Sequence, residues 1–243
     1  MTSTLDSVTP SAAAISTVEA RVASAPAAAP GLTVRPVHGT PSPVASWAEL
    51  MAGNIRYVSN HPDAPRRGQD RRSSVVGSQN PFAVVFGCAD SRVPAEILFD
   101  QGLGDLFVVR TAGHVVGPSE LGSMEYAVEH LDVPLIAVLA HDSCGAVKAA
   151  CGAAESGEMP DGHVRDLLER IVPNVRAAHA RGITAVDEIE REHARSVMHL
   201  IVERSPLIAE RLSTGRLAIV TLKYQLADGT ARLVDGIGDL GAR

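Results

Sequence analysis

The chain has 243 residues, with 22 Lys and Arg against 28 Asp and Glu, a net charge of -6 and 45% hydrophobic residues. This length accommodates one large domain, or one domain with an appendage, and the acidic balance excludes a sequence-independent nucleic-acid binder, which needs a basic surface to displace counterions. No apolar run approaches the roughly 18 residues of a membrane span, and with only 3% aromatics the core must be Val, Leu, Ile and Ala, which suits a sheet covered by helices.

Residues 1–44 are rich in Ala, Pro, Ser and Thr without a period, and read as a flexible arm. Asp6, Pro10 and Glu19 interrupt what would be the apolar stretch of a signal peptide. The ordered domain is expected over 45–243. It opens with Ser46-Trp47-Ala48-Glu49, a capping-box pattern, followed by Trp47, Leu50, Met51, Ile55 and Val58 at helical spacing. A polar, basic connection runs over 60–80. The apolar run 82–86 predicts a buried strand, 94–101 a helical turn, 106–109 a second strand and 119–131 a helix. A third buried strand is predicted over 134–139 and a helix over 144–154, ended near Gly157 and Pro160. Two longer helices are predicted over 164–181 and 185–204. Strands over 217–222 and 231–234 then pair across the Asp228-Gly229 turn. Strands alternating with helices imply a parallel-core α/β sheet with right-handed crossovers, and continuous apolar strands imply helices on both faces. Ligands in such sheets bind beyond the carboxyl ends of the strands.

Two clusters lie there. The first strand ends in Gly87-Cys88-Ala89-Asp90-Ser91-Arg92 and the third in His141-Asp142-Ser143-Cys144-Gly145. If the two strands are neighbours, about 4.8 Å apart, Cys88, His141 and Cys144 can converge on one ion. Two thiolates and an imidazole are zinc ligands, and three protein ligands with a fourth open position make a catalytic site. On spacing alone the alternative stays open that the two cysteines are small buried apolar residues and His141 a satisfied core histidine. Cys151 lies two helical turns beyond Cys144 and should miss the metal. Three cysteines, an odd count with no secretion signal, fit a reducing cytoplasm better than a disulfide framework. Gly236-Ile237-Gly238-Asp239-Leu240-Gly241 matches G-x-G-x-x-G, but only Ala242 and Arg243 follow, so the helix of a dinucleotide site is missing.

Cys88-Ala89-Asp90-Ser91-Arg92 followed by His141-x-x-Cys144 resembles the β-class carbonic anhydrases, and the likeness runs through Val93-Pro94-Ala95-Glu96 and Phe107-Val108-Val109-Arg110 over residues 45–238. The resemblance implies a zinc (Zn2+) enzyme interconverting carbon dioxide and bicarbonate. It also implies a parallel-core sheet extended by antiparallel strands, in a dimer or dimer of dimers, with no nucleic acid and no membrane as partner. It makes Cys88, His141 and Cys144 the metal ligands. Asp90 and Arg92 become a catalytic dyad, in which Asp90 orients a zinc-bound hydroxide and Arg92 holds the carboxylate. Asp90 is also implied as a metal ligand in an inactive form in which it leaves Arg92. Gln101 corresponds to a glutamine that reaches the substrate, often across a dimer interface, and Gly145 leaves room for a substrate oxygen near backbone N–H groups. Arg110 and Tyr224 match two members of a bicarbonate pocket found in part of the family, whose tryptophan position is here Val85. The remaining histidines, among them His114 and His193, read as surface or loop residues. A bicarbonate sensor would not need the Asp90–Arg92 pair, whereas a hydrolase of a carbon dioxide analogue would use the same ligands behind a different access channel.

Overall fold

The computed structural model describes residues 42–241. The expected arm therefore lies outside the described residues except for its last three. The first helix among the described residues, α1 (Pro43–Val58), starts earlier than the Ser46 pattern predicts. Ser42 is its N-cap, accepting the Ala45 N–H at 3.2 Å, and Pro43 supplies a preset first helical residue. Ser46 is instead an interior, buried position. Ile55 and Val58, expected in the core, are exposed, while Leu50 is fully buried. Gly53 lets α1 press against the end of the short helix Ala95–Leu98, since a Cβ there would stand 1.7 Å from the carbonyl oxygen of its C-cap Phe99.

The basic connection contains a short helix that the sequence did not announce, α2 (Gln69–Ser74). Two buried carboxylates tie this segment down. Asp100 takes Arg56 Nε at 2.7 Å and the N–H groups of Asp63 and Ala64. Asp105 takes Arg66 Nε at 2.6 Å and Arg71 Nη2 at 3.3 Å. The basic residues of 60–80 thus neutralise acids that could not otherwise be buried.

Strand β1 (Ala83–Cys88), helix α3 (Ala95–Leu98), strand β2 (Leu106–Thr111), a 3₁₀ turn (Ala112–His114) and helix α4 (Pro118–His130) follow. Next come β3 (Leu135–His141), α5 (Gly145–Ser156), α6 (Val164–Ala180) and α7 (Val186–Arg204). Helix α8 (Pro206–Ser213) and strands β4 (Ala218–Tyr224) and β5 (Ala231–Ile237) complete the described fold. Helix α8 was not expected from the sequence. Ser205 caps it, accepting the Ile208 N–H at 3.2 Å, and Pro206 is its first residue, the same start as α1. Gly157 ends α5, near where the end was expected, at φ 76°, a left-handed conformation that its lack of a Cβ permits.

The sheet order is β2-β1-β3-β4-β5, parallel except for β4 with β5. Strands β1, β3 and β4 are buried on both faces. Val84, Phe86, Ile136, Val138 and Ile219 face α4, α7 and α8 through Met124, Val128, Met198, Ile201 and Ile208. Val85, Leu135, Ala137, Leu139, Val220 and Leu222 face Leu50, Leu98 and Phe99. Each such buried aliphatic side chain contributes about 1.5–3 kcal/mol. The chain leaves β1 towards one sheet edge and continues from β3 towards the other, so the switch in winding direction falls between these strands, where a ligand crevice opens. The glycine-rich run 236–241 begins inside β5 and precedes no helix among the described residues.

Candidate metal centre

Neighbouring parallel strands β1 and β3 end together, Gly87 opposite Leu139, and deliver Cys88 and His141 to one sheet edge. Cys144 is the N-cap of α5, three residues on. The ligand atoms of Cys88, His141 and Cys144 lie within 4.8 Å of one another, and all three residues are buried. Cys151 is buried elsewhere on α5 and is not part of this group.

The donor set fits a zinc ion. His141 Nδ1 lies 2.8 Å from the Asp142 carbonyl oxygen, which can only accept, so the proton sits on Nδ1 and Nε2 carries the free lone pair. That Nε2 is buried without a hydrogen-bond partner among the described residues, a costly state that metal ligation relieves. The Cys88 thiol is pushed down, mainly by the hydrogen bond from the Cys144 thiol, with the Gly113 and Asp90 backbone also favouring the thiolate against burial. The Cys144 thiol is pushed up by that neighbouring thiolate and by burial. The Gly113 N–H donates to Cys88 Sγ at 3.3 Å. Gly113 makes this approach at φ 66°, and a Cβ there would meet Ile171 Cδ1 at 2.8 Å and Ala146 Cβ at 2.9 Å.

Asp90 and Arg92 stand beside this group. Arg92 Nε donates to Asp90 Oδ1 at 2.9 Å and Nη2 to Oδ2 at 2.6 Å, a two-pronged contact that holds the carboxyl well below the usual carboxylate range. Asp90 Oδ2 lies 3.9 Å from His141 Nε2, at the border of the ligand group. The carboxylate is therefore on Arg92 in this structure. Arg110 donates to the carbonyl oxygens of Cys88 and Asp90, at 2.9 and 2.5 Å, and so braces the β1 turn. Gly145 opens α5, and the space where its Cβ would be is free. Gln101 is placed differently: it is buried, donates to Phe99 O and Glu49 Oε1 and accepts from Arg66 Nη2, partners that lead away from Asp90 and Arg92.

Four supporting groups were not found by sequence reasoning. Asp142 accepts the Leu226 N–H at 2.8 Å and ties the His141 turn to the end of the neighbouring strand β4. Glu190 on α7 accepts the Cys144 N–H at 2.9 Å. Lys223 on β4 stands 3.4 Å from Glu190 Oε2. A signal did exist for the last two: Glu190 shares a helical stripe with the buried Ala194, Val197 and Ile201, and Lys223 interrupts an otherwise apolar buried strand. The fourth is a histidine pair. His114 and His193, expected at the surface, are buried with ring centroids 4.7 Å apart. Burial is tolerated for His193 because Asn174 and the Gly113 carbonyl oxygen engage its two nitrogens.

A parallel-core sheet with two thiols and one imidazole gathered at its winding switch, and an Arg-held carboxylate alongside, defines an α/β zinc enzyme. The carbonic anhydrase family model matches residues 83–231, more than half of the chain. Carbonic anhydrase 2 of Mycobacterium tuberculosis is 52% identical over 200 residues, covering 82% of this chain and 97% of the relative. Among solved structures, a Coccomyxa β-carbonic anhydrase in complex with acetazolamide aligns with a TM-score of 0.60 at 25% identity, covering 79% of this chain and 83% of that one. One of two tetrameric β-carbonic anhydrases from Sordaria macrospora aligns with a TM-score of 0.59 at 22% identity, covering 77% and 93%. The chain belongs to the β-class carbonic anhydrase family.

Proposed function

We infer that the protein is a zinc-dependent carbonic anhydrase, catalysing the reversible hydration of carbon dioxide to bicarbonate and a proton. The observation that carries this reading is the convergence of Cys88, His141 and Cys144 beside an intact Asp90–Arg92 pair, in a member of this family. These three side chains would hold the zinc. Bound there, zinc supplies Lewis acidity, which lowers the pKa of water from 15.7 towards neutrality.

The chain's own residues do the rest. Arg92 keeps Asp90 ionised, so this carboxylate is an acceptor and not a proton donor near neutral pH. Asp90 Oδ2 accepts the hydroxyl hydrogen of the attacking oxygen and thereby turns a lone pair towards carbon dioxide. Gly145, at the start of α5 where N–H groups have no helical acceptor, gives a substrate oxygen room to approach the backbone. A second arrangement, with Asp90 released from Arg92 and bound to the metal, would close the site. Gln101 is proposed to act on substrate only through a second copy of the chain, since its bonds within this chain lead away from Asp90.

Assembly as a dimer or dimer of dimers is supported by the open edge at β2. That strand is largely half-buried, and Ile97, Leu103 and Tyr126 are exposed around it. The Sordaria proteins are described as tetrameric. A cytoplasmic setting is supported by three free cysteines. Among the described residues no helix is long and apolar enough to cross a membrane. Elemental zinc analysis combined with stopped-flow carbon dioxide hydration tests the function. One zinc per chain with hydration activity is expected, and zinc-loaded protein without hydration activity overturns the reading.

A further inference from the structure

We propose that Glu190 is a positioning residue for the Cys144 thiolate, held in place by Lys223. The inference rests on reading Cys144 as a zinc ligand. The turn that presents this cysteine is not at rest by itself. Ser143, just before it, is a non-glycine residue at φ 56°, in the left-handed region that strains an ordinary side chain. Cys144 has no side-chain cap for α5, and its own N–H points into the protein. Glu190 Oε1 accepts that N–H at 2.9 Å from a helix 46 residues away in sequence. Fixing the N–H fixes the Cα–Cβ direction, and hence where the sulfur can stand.

The carboxylate is 1% exposed, and Lys223, also 1% exposed, faces its other oxygen at 3.4 Å. Lys223 is itself held, donating to the carbonyl oxygen of Asp187 at 2.7 Å and to the Asp187 carboxylate. A buried Glu–Lys pair gives the fold little that apolar residues of the same volume would not, because desolvation offsets the attraction. What an apolar replacement loses is the acceptor at Cys144. The lysine, which Asp187 also engages, offsets part of the carboxylate charge near the ligand turn. Chain and chemistry agree on one role: an acceptor of fixed position, placed behind a ligand turn. Outer partners of this kind typically alter metal affinity or activity about 10- to 100-fold when removed.

The test uses the full chain with three variants. Glu190→Gln keeps an amide oxygen for the Cys144 N–H, and Asp187 still pairs Lys223. Glu190→Met keeps the volume and removes the acceptor. Cys144→Ser checks the ligand set. Zinc affinity is read by chelator competition, ligand geometry by the absorption of the cobalt(II)-substituted protein, and fold stability by melting of the metal-free protein. Glu190→Met is expected to melt below wild type, because the buried Cys144 N–H loses its acceptor, and to bind zinc about 10- to 100-fold more weakly with a shifted cobalt spectrum, which lowered stability alone would not produce. Glu190→Gln is expected to restore affinity and spectrum. Zinc affinity and cobalt spectrum unchanged in Glu190→Met overturn the inference, as does Glu190→Gln losing as much affinity as Glu190→Met. Should Glu190→Met not fold, Glu190→Gln alone decides: wild-type affinity and spectrum support positioning, and a tenfold loss overturns it. Unchanged zinc binding in Cys144→Ser overturns the ligand reading itself, whereas a Cys144-dependent site indifferent to Glu190 overturns only the positioning role.

Discussion

The two turns that build the metal centre are made in opposite ways. The turn after β1 is held mostly by its own residues and an adjacent strand. Asp90 and Arg92 bind each other two positions apart, and Arg110 on β2 grips the Cys88 and Asp90 carbonyl oxygens. The turn after β3 is held from a distance, by Glu190 on α7 and by Leu226 and Tyr224 around the end of β4. The first turn also leaves its working side chain partly open, with Arg92 52% exposed, whereas His141 is fully covered. A site that must both fix a metal and meet substrate divides the tasks this way: the rigid turn carries two of the three proposed ligands, and the locally held turn carries the dyad.

The largest effect is expected where the rigid turn loses its sulfur. Cys144→Ser should leave the protein without stoichiometric zinc, whereas Cys151→Ser, altering a thiol on α5 outside the ligand group, should keep one zinc per chain. Elemental analysis after dialysis against a mild chelator distinguishes them, and equal metal in both variants would break the division of tasks at its root.

The next effect is on the locally held turn. Arg92→Ala should keep zinc, because no ligand depends on it, and should lower carbon dioxide hydration by about 10- to 100-fold, the usual cost of removing an orienting partner. Stopped-flow hydration at matched zinc content measures this. Full activity would show that Asp90 orients without help, and that the pair is an ordinary surface contact.

A third test reaches the support beneath Cys88. His114 lies beside Gly113, and its ring stands against that of His193, with centroids 4.7 Å apart. His193 faces Asn174 and the Gly113 carbonyl oxygen. Burial lowers the pKa of both His114 and His193, His114 well below its ordinary 6.5. The folded protein thus refuses protons that the unfolded chain accepts. Stability from this pair is fully present above about pH 6.5 and is lost as pH falls from there towards the folded pKa, by up to about 1.4 kcal/mol per pH unit for each histidine. Melting of the zinc-loaded protein between pH 7.5 and 5.5 should show the decline, and His114→Leu should make it shallower. An unchanged slope in that variant would remove the histidine pair from the account.

The same contrast explains what could be read from the chain alone. Cys88, Asp90 and Arg92 form a local word, and strands β1, β3 and β4 are unbroken apolar runs, so the parallel core and the ligand turns were legible. Gly157 was legible too, because a left-handed helix end is a property of one residue. Glu190, Lys223 and the His114–His193 pair were not, since their meaning comes from partners tens of residues away. Their only trace was a charge or imidazole at a position whose period says core. The start of α1 differed for another reason, while the starts expected near 119, 144, 164 and 185 fall within a residue of those observed. Ser46 with Glu49 imitates a cap, and only the competing Ser42-Pro43 start, repeated at Ser205-Pro206, has the geometry.

That start gives the smallest and sharpest expected difference. Removing residues 1–41 deletes all but the last three residues of the expected arm and leaves Ser42 to accept the Ala45 N–H, so folding, zinc content and hydration should match the full chain. Removing 1–44 takes away the cap, Pro43 and Val44, which packs near Gly241. Loss of a serine cap costs about 1 kcal/mol, so the shorter protein should melt a few degrees lower while its zinc site, built from β1, β3 and α5, stays loaded. Both chains are compared by thermal melting and elemental analysis at equal concentration. A cut at 41 that already costs zinc or solubility would mean that the arm belongs to the domain, and that metal binding depends on more than the two turns.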